Sequence, residues 1–105
     1  MKNKVINALI QMGMPADING FQYIVDAMIF FEDEKGCNIK TTELYKKIAE
    51  RNNTTAHGVE RGIRHAFSIV LTKGDLVIVK KYLTLQNSTN GNLLRVFYLK
   101  LLQEG

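Results

Sequence analysis

Apolar residues recur at every third or fourth position along most of the chain, and this spacing limits the fold more than any other feature. The clearest stretch is 55–73, which carries Val59, Ile63, Ala66, Phe67 and Val70. Such a repeat places side chains on one face of an α-helix. No segment alternates convincingly with period two. The run 76–79 is compatible with a short strand, which would make the domain winged, but we prefer a helix there.

Capping and helix-breaking residues divide the chain into about six helices. We predict them at residues 2–12, about 20–34, 42–52, 55–73, 76–83 and about 92–103. The residues expected to begin or end them are Gly13, Gly36 and Gly74 as stops, with Thr41 or Thr42, Thr54 or Thr55, and Asp75 as N-caps. The polar run 86–91 is expected to be a surface loop, and the helix after it is apolar nearly all round. The predicted fold is a compact all-α bundle of about six helices.

Charge is unevenly distributed along the chain. The net charge is +4, but residues 1–37 hold three Lys against five acidic residues, a net of −2. Residues 38–105 hold eleven Lys or Arg against five acidic residues, a net of +6. A molecule with one basic side suits a polyanionic partner such as nucleic acid.

Length and the lack of export signals limit the protein class. A chain of 105 residues predicts one domain, 1–105. The single cysteine, Cys37, cannot form an internal disulfide, and no secretory signal precedes it. The apolar runs are too short to cross a bilayer. We therefore expect a cytoplasmic protein without a membrane partner.

Residues 42–73 have the residue types of a helix-turn-helix. Ala49 is small where the first helix must cross closely over the second. Asn53 can adopt, at little cost, the left-handed conformation that a tight turn between helices needs. Val59 points back into the core. We therefore predict a helix-turn-helix formed by helices 42–52 and 55–73, with the second as the recognition helix.

The recognition helix has a polar face opposite its apolar one. At about 100° per residue, this face collects His57, Arg61, Arg64, His65 and Ser68, with Glu60 at its edge. The planar fork of Arg pairs with guanine O6 and N7, and Glu60 can accept a hydrogen bond from the cytosine amino group. We therefore predict double-stranded DNA as the partner, with this helix in the major groove.

Phosphate contacts are expected at the start of the recognition helix and beside it. Thr54 and Thr55 lie where free amide groups and the helix dipole favour an anion. Lys40, Lys80 and Lys81 lie on flanking segments. We expect these five residues to contact the DNA backbone.

Several of these residues also carry a resemblance to a known family. Residues 53–56 (Asn-Thr-Thr-Ala), 59–61 (Val-Glu-Arg), 63–66 (Ile-Arg-His-Ala) and 73–74 (Lys-Gly) resemble the effector domain of the sporulation response regulator, stage-zero protein A, of endospore-forming Firmicutes. Residues 13–21 are similar to the family's opening Gly-x-Pro-Ala-x-x-Lys-Gly-aromatic stretch. The resemblance implies six helices and binding to a short G- and C-containing box, as monomers or tandem head-to-tail pairs. The family's DNA-contacting positions match Glu60, Arg61, Arg64 and His65.

The sequence departs from this family at three residues. Gly58 stands where the family usually has an Arg that reaches a guanine, and His57 stands where Ser is usual. Losing that Arg removes discrimination of about 1–3 kcal/mol. Gly62 replaces an Ala, which costs roughly 1 kcal/mol of helix propensity. We also expect no receiver domain, and hence no control by phosphorylation in the family's usual way.

Other function classes are less well supported. His57 and His65 are about 12 Å apart along one helix, too far to share a metal ion. Cys37 has no His partner placed by a motif, so we expect no enzyme, metal, cofactor or small-molecule substrate. RNA binding is disfavoured because a basic sheet with stacking aromatics is absent. The alternative function is a protein–protein adaptor that keeps the fold but has lost its operator, with the last helix as a docking surface.

Overall fold

The computed structural model describes residues 1–33 and 36–104, in which six α-helices are joined by short loops. They are α1 (Lys2–Met12), α2 (Asn19–Asp33), α3 (Thr41–Arg51), α4 (Ala56–Lys73), α5 (Leu76–Tyr82) and α6 (Asn90–Gln103). The predicted all-α bundle is confirmed. Residues 76–79 are helical, and the described residues contain no strand. Glu34, the predicted end of the second helix, lies outside the described residues.

The apolar faces of the helices meet in one core, with α2 at its centre. This helix packs against α1, α3, α4 and α6. The predicted inward residues of α4 are all buried: Val59, Ile63, Ala66, Phe67 and Val70. The last helix also contributes to the core, through Leu93, Leu94, Phe97, Tyr98 and Leu101. Only Leu99 and Leu102 of its large apolar side chains are half exposed.

Some helix ends differ from the prediction for local reasons. Capping of α3 by Thr41 or Thr42 is wrong, because Lys40 is the N-cap and Thr41 is already helical. The Thr41 hydroxyl instead accepts a hydrogen bond from Arg95 Nη1 at 3.1 Å. The last helix begins at Asn90 and not at residue 92, because the Thr89 hydroxyl caps it. The predicted caps Thr55 and Asp75 are confirmed.

Gly74 ends α4 as predicted, but the physical reason is different. Its φ is −78°, so the freedom of glycine to adopt a left-handed conformation is not used there. Glycine is needed for space, since a Cβ there would lie 2.5 Å from the carbonyl oxygens of both Met12 and Val70. The neighbouring Asp75 N–H donates to the same Met12 oxygen at 3.3 Å. This contact holds the end of α1 against the end of α4.

The crossing of α2 and α4 is unusually close and explains Gly62. A Cβ on Gly20 would lie 2.2 Å from the Gly62 carbonyl oxygen. A Cβ on Gly62 would lie 2.8 Å from Cε2 of the buried Tyr23 ring. Glycine at residue 62 lowers the helix propensity of α4. It is needed because only a residue without a Cβ lets the recognition helix lie this close to α2.

Candidate nucleic-acid interface

The turn between α3 and α4 has the geometry expected of a helix-turn-helix. Asn52 caps α3, and Asn53 adopts the predicted left-handed conformation with φ of 54°. The Thr54 N–H donates to the Ala49 carbonyl oxygen at 3.0 Å, which is the six-to-one bond of a Schellman motif. The turn is thereby closed within four residues, and α4 packs directly against α3.

The polar face predicted for α4 is solvent-exposed along three turns. His57, Arg61, Arg64, His65 and Ser68 are all exposed, and Glu60 at the edge of the face is partly buried. The opposite face is the buried one described above. The helix therefore presents two Arg and two His side chains outward, in position to meet a groove.

The start of α4 can hold an anion next to this face. Thr55 is the N-cap, and its hydroxyl accepts a hydrogen bond from the Gly58 N–H at 3.0 Å. Thr54 is exposed beside it. The remaining amide groups of a first helical turn have no partner inside the helix. They and the helix dipole favour a phosphate there.

Glu60 and Arg64 form an ion pair one turn apart on α4. The Arg64 side chain is 68% exposed and that of Glu60 23% exposed. An exposed pair of this kind contributes little to stability, so little is lost when Arg64 leaves Glu60 for a guanine edge, to which it can donate two hydrogen bonds. The main chain of Glu60 is held by Asn90, whose Nδ2 donates to the Glu60 carbonyl oxygen at 2.9 Å.

Ser68, the last residue of the outward face, is engaged within the helix. Its hydroxyl donates to the His65 carbonyl oxygen at 2.7 Å, and its own carbonyl oxygen accepts from the Thr72 hydroxyl at 2.7 Å. The Ser68 oxygen keeps lone pairs for a ligand, but its proton is already used. It is thus better placed to accept than to donate.

The three predicted phosphate-contacting lysines are exposed, but they lie on different elements. Lys40 immediately precedes α3, whereas Lys80 and Lys81 lie in the last turn of α5, the helix that follows the end of α4. The Lys81 ammonium lies 3.8 Å from a carboxylate oxygen of Glu104. Glu104 also accepts a hydrogen bond from the Tyr82 hydroxyl. Burial, together with this bond and the carboxylate charge, raises the pKa of Tyr82 to about 12.

A cleft that we did not predict adjoins the recognition helix. It has a volume of about 510 Å³ and lies between residues 60–71 of α4 and residues 88–93 around the start of α6. Its lining includes Glu60, Arg64 and Ser68 on one side and Ser88, Thr89 and Asn90 on the other. By sequence, these last three residues indicate only a polar loop. Nothing in their spacing indicates that the loop folds back against α4.

Arg95 on α6 fixes the segment that leads into α3, although no sequence pattern singles it out. Its guanidinium donates to the carbonyl oxygens of Cys37 and Ile39, at 3.1 and 2.6 Å, as well as to Thr41. It also lies 5.6 Å from the centre of the Phe31 ring. Arg95 thereby holds the entry to the helix-turn-helix, including the position of Lys40.

Two kinds of feature are absent from the part of the chain that the structure describes. No group of three or more His, Cys, Asp or Glu residues that could hold a metal ion occurs within residues 1–33 and 36–104. Of the helices in that part of the chain, none is long and apolar enough to cross a membrane.

A comparison with protein families matches most of the chain. The family model described as "Sporulation initiation factor Spo0A C terminal" matches residues 5–101, nearly the whole chain. The match includes all six helices apart from the ends of α1 and α6, and it covers every residue of the proposed interface.

Proposed function

Since the chain belongs to the family of Spo0A C-terminal domains, the DNA-binding domain of a sporulation regulator, we propose that it is a transcriptional regulator that recognises a specific DNA sequence. The observation that carries this proposal is the exposed polar face of α4 directly behind a closed turn. A helix in this arrangement enters the major groove and reads base edges.

Each residue of the face has a role suited to its chemistry. Arg61 and Arg64 donate to guanine O6 and N7, and Glu60 accepts from a cytosine amino group. His57 and His65 contact neighbouring bases or the backbone, and Ser68 accepts a hydrogen bond from a neighbouring base. The phosphates on either side are held by Thr54 and Thr55 at the helix start and by the flanking Lys40, Lys80 and Lys81. Lys81 gives up its contact with Glu104 to do so.

Fluorescence anisotropy tests this proposal with a duplex carrying the family's short G- and C-containing box and a scrambled duplex, each over a range of salt. We expect Arg61→Ala and Arg64→Ala each to lower affinity for the box by about tenfold or more, equivalent to the loss of a bidentate contact. Neither change leaves a cavity, so Tm should stay nearly constant. Lys2→Ala on α1 is the matched control, because it removes an exposed cation outside the helix-turn-helix. Unchanged binding by both Arg variants would reject the face.

Gly58→Arg tests whether the chain is a diverged reader of the family's box. Gly58 lies in the first turn of α4, where a Cβ would meet the Thr54 hydroxyl at 2.9 Å. That exposed hydroxyl can rotate away, so the variant should fold. We expect it to prefer the box over scrambled DNA by about 1–3 kcal/mol more than the wild type does. Gly58→Ala is the control, because it shows how the loss of glycine alone changes the affinity without adding a guanidinium.

We further propose tandem head-to-tail binding, as the family resemblance implies, and a cytoplasmic location, which suits a DNA-binding regulator. The stoichiometry on duplexes with one and two boxes tests the first. If neither the wild type nor Gly58→Arg binds any duplex above the non-specific level, the adaptor function takes its place. Its first surface to probe is then the half-exposed pair Leu99 and Leu102 on α6.

A further inference from the structure

Asp26 on α2 is the buried charged side chain of the described residues, with an exposed fraction of 1%. Its two carboxylate oxygens are both occupied. Oδ2 accepts a hydrogen bond from Asn52 Nδ2 at 2.7 Å, and Oδ1 accepts one from Gln22 Nε2 at 2.9 Å. Arg51 Nε lies 3.7 Å from Oδ1. The charge is thus paired and hydrogen-bonded rather than isolated.

A buried carboxylate adds little net stability to a fold. The free energy lost on desolvating the ion offsets most of the free energy gained from its hydrogen bonds and ion pair, and well-packed apolar residues often stabilise the protein as much or more. What such a group provides is a defined geometry, because each oxygen is satisfied only when its donor is in place. The identity of the donors therefore indicates what Asp26 holds.

Apart from Gln22, which lies one turn earlier on α2 itself, its partners are the two residues at the end of α3. Arg51 is the last helical residue and Asn52 is the C-cap. Arg51 also lies 5.9 Å from the centre of the Phe30 ring, one turn beyond Asp26 on α2. Asn52 Nδ2 donates in addition to the Ile48 carbonyl oxygen at 2.8 Å. The α2 side chains thereby fix the end of α3 immediately before the left-handed residue of the turn.

The same helix also fixes α4, through the close contact between Gly20 and Gly62. One helix therefore holds both elements of the helix-turn-helix, α3 at its end and α4 near its middle. Loss of the Asp26 contacts would free the turn while leaving the apolar core in place.

We propose that Asp26 is a positioning residue for DNA recognition, which sets the start of α4 by holding Arg51 and Asn52. This role rests on the proposed function, and Asp26 itself touches no base. The Asp26→Asn variant presents an amide in place of one carboxylate oxygen, so it cannot accept from both Asn52 and Gln22 and has no charge for Arg51. We expect the affinity for the box to fall by about tenfold, with affinity for scrambled DNA unchanged or higher.

Three comparisons distinguish a general loss of stability from a loss of the position of the turn. Val5→Ala, in the α1 part of the core, is the control that loses stability without touching the turn. Amide hydrogen exchange at Thr54, whose N–H closes the turn, should be faster in Asp26→Asn but not in Val5→Ala. The exchanged pair Asp26→Asn with Asn52→Asp restores an amide–carboxylate contact between α2 and the α3 cap. It should recover part of the box affinity that Asp26→Asn loses, since a carboxylate at residue 52 can no longer donate to the Ile48 carbonyl oxygen.

Two results overturn the inference. Normal Thr54 protection together with an unchanged ratio of box to scrambled affinity in Asp26→Asn would make Asp26 a stability residue only. Equal loss of that ratio in Val5→Ala would do the same. Failure of the proposed function is a different result, in which the wild type shows no preference for the box. The DNA role of Asp26 then falls with it, while Thr54 exchange still decides whether Asp26 holds the turn.

Discussion

Replacing Gly62 with Ala should destabilise the protein, although alanine is the better helix former. The added Cβ would lie 2.8 Å from Cε2 and 3.0 Å from Cδ2 of Tyr23. Carbon atoms pack best at about 3.5–4.0 Å, so α2 and α4 must separate or the buried Tyr23 ring must move. Overpacking of this kind costs about 1–3 kcal/mol, whereas alanine returns about 1 kcal/mol of helix propensity. We expect a net loss of about 1 kcal/mol.

Urea denaturation followed by circular dichroism measures this loss, and Gly58→Ala is the control in the same helix. At residue 58 the added Cβ would lie 2.9 Å from the exposed Thr54 hydroxyl, which can rotate away, and 3.2 Å from the Thr55 hydroxyl, which needs to shift by only a few tenths of an ångström and can keep its capping bond. That variant should therefore unfold at the wild-type urea concentration or above it. A Gly62→Ala protein as stable as the wild type would show that the α2–α4 crossing is not limiting. Equal losses in both variants would assign the effect to the glycines' backbone rather than to the crossing.

Three further predictions concern the flanks of the interface, the turn and the end of the chain. Replacing Lys80 and Lys81 together by Ala should weaken binding to all duplexes alike and reduce the slope of log affinity against log salt by about one for each phosphate that is no longer neutralised; an unchanged slope would place them off the DNA. Asn53→Ala should lower the free energy of unfolding by about 1 kcal/mol, because Ala lacks the short polar side chain whose local hydrogen bonding lets Asn adopt the left-handed conformation, whereas Asn53→Gly should not; equal losses on urea denaturation would contradict this. The raised pKa of Tyr82 means that the neutral phenol is favoured in the folded protein. Its contribution to the free energy of unfolding is therefore complete below pH 10 and is lost as the pH rises from 10 to about 12. Urea titrations across that range should show a smaller fall in stability for Tyr82→Phe than for the wild type, and parallel curves would contradict the assignment.

The helices and the turn could be predicted because their signals are local. The apolar spacing of α4 and the Thr55 cap depend on residues a few positions apart, and Asn53 supplies a conformation that the turn itself requires. The outward face of α4 follows from the same spacing, since whatever does not face the core faces solvent.

The residues that sequence reasoning missed act across long separations along the chain. Asp26 resembles any other surface charge until Asn52, twenty-six residues away, is placed against it. Gly62 is simply a poor helix residue until α2 is brought within contact of it. Thr41 has the right chemistry for an N-cap, but Arg95 engages its hydroxyl from the other end of the chain. Local helix propensity does not include such contacts between residues that are far apart in the sequence.

The most direct test of α4 as the DNA-reading helix is to map the surface that DNA covers. Titration of the ¹⁵N-labelled protein with the box duplex, followed by amide chemical shifts, reports on residues throughout the chain at once. We predict the largest changes from Thr54 through Ser68, with further changes at Lys40, Lys80 and Lys81. Saturable binding that shifts other surfaces and leaves the α4 amides unmoved would contradict this assignment.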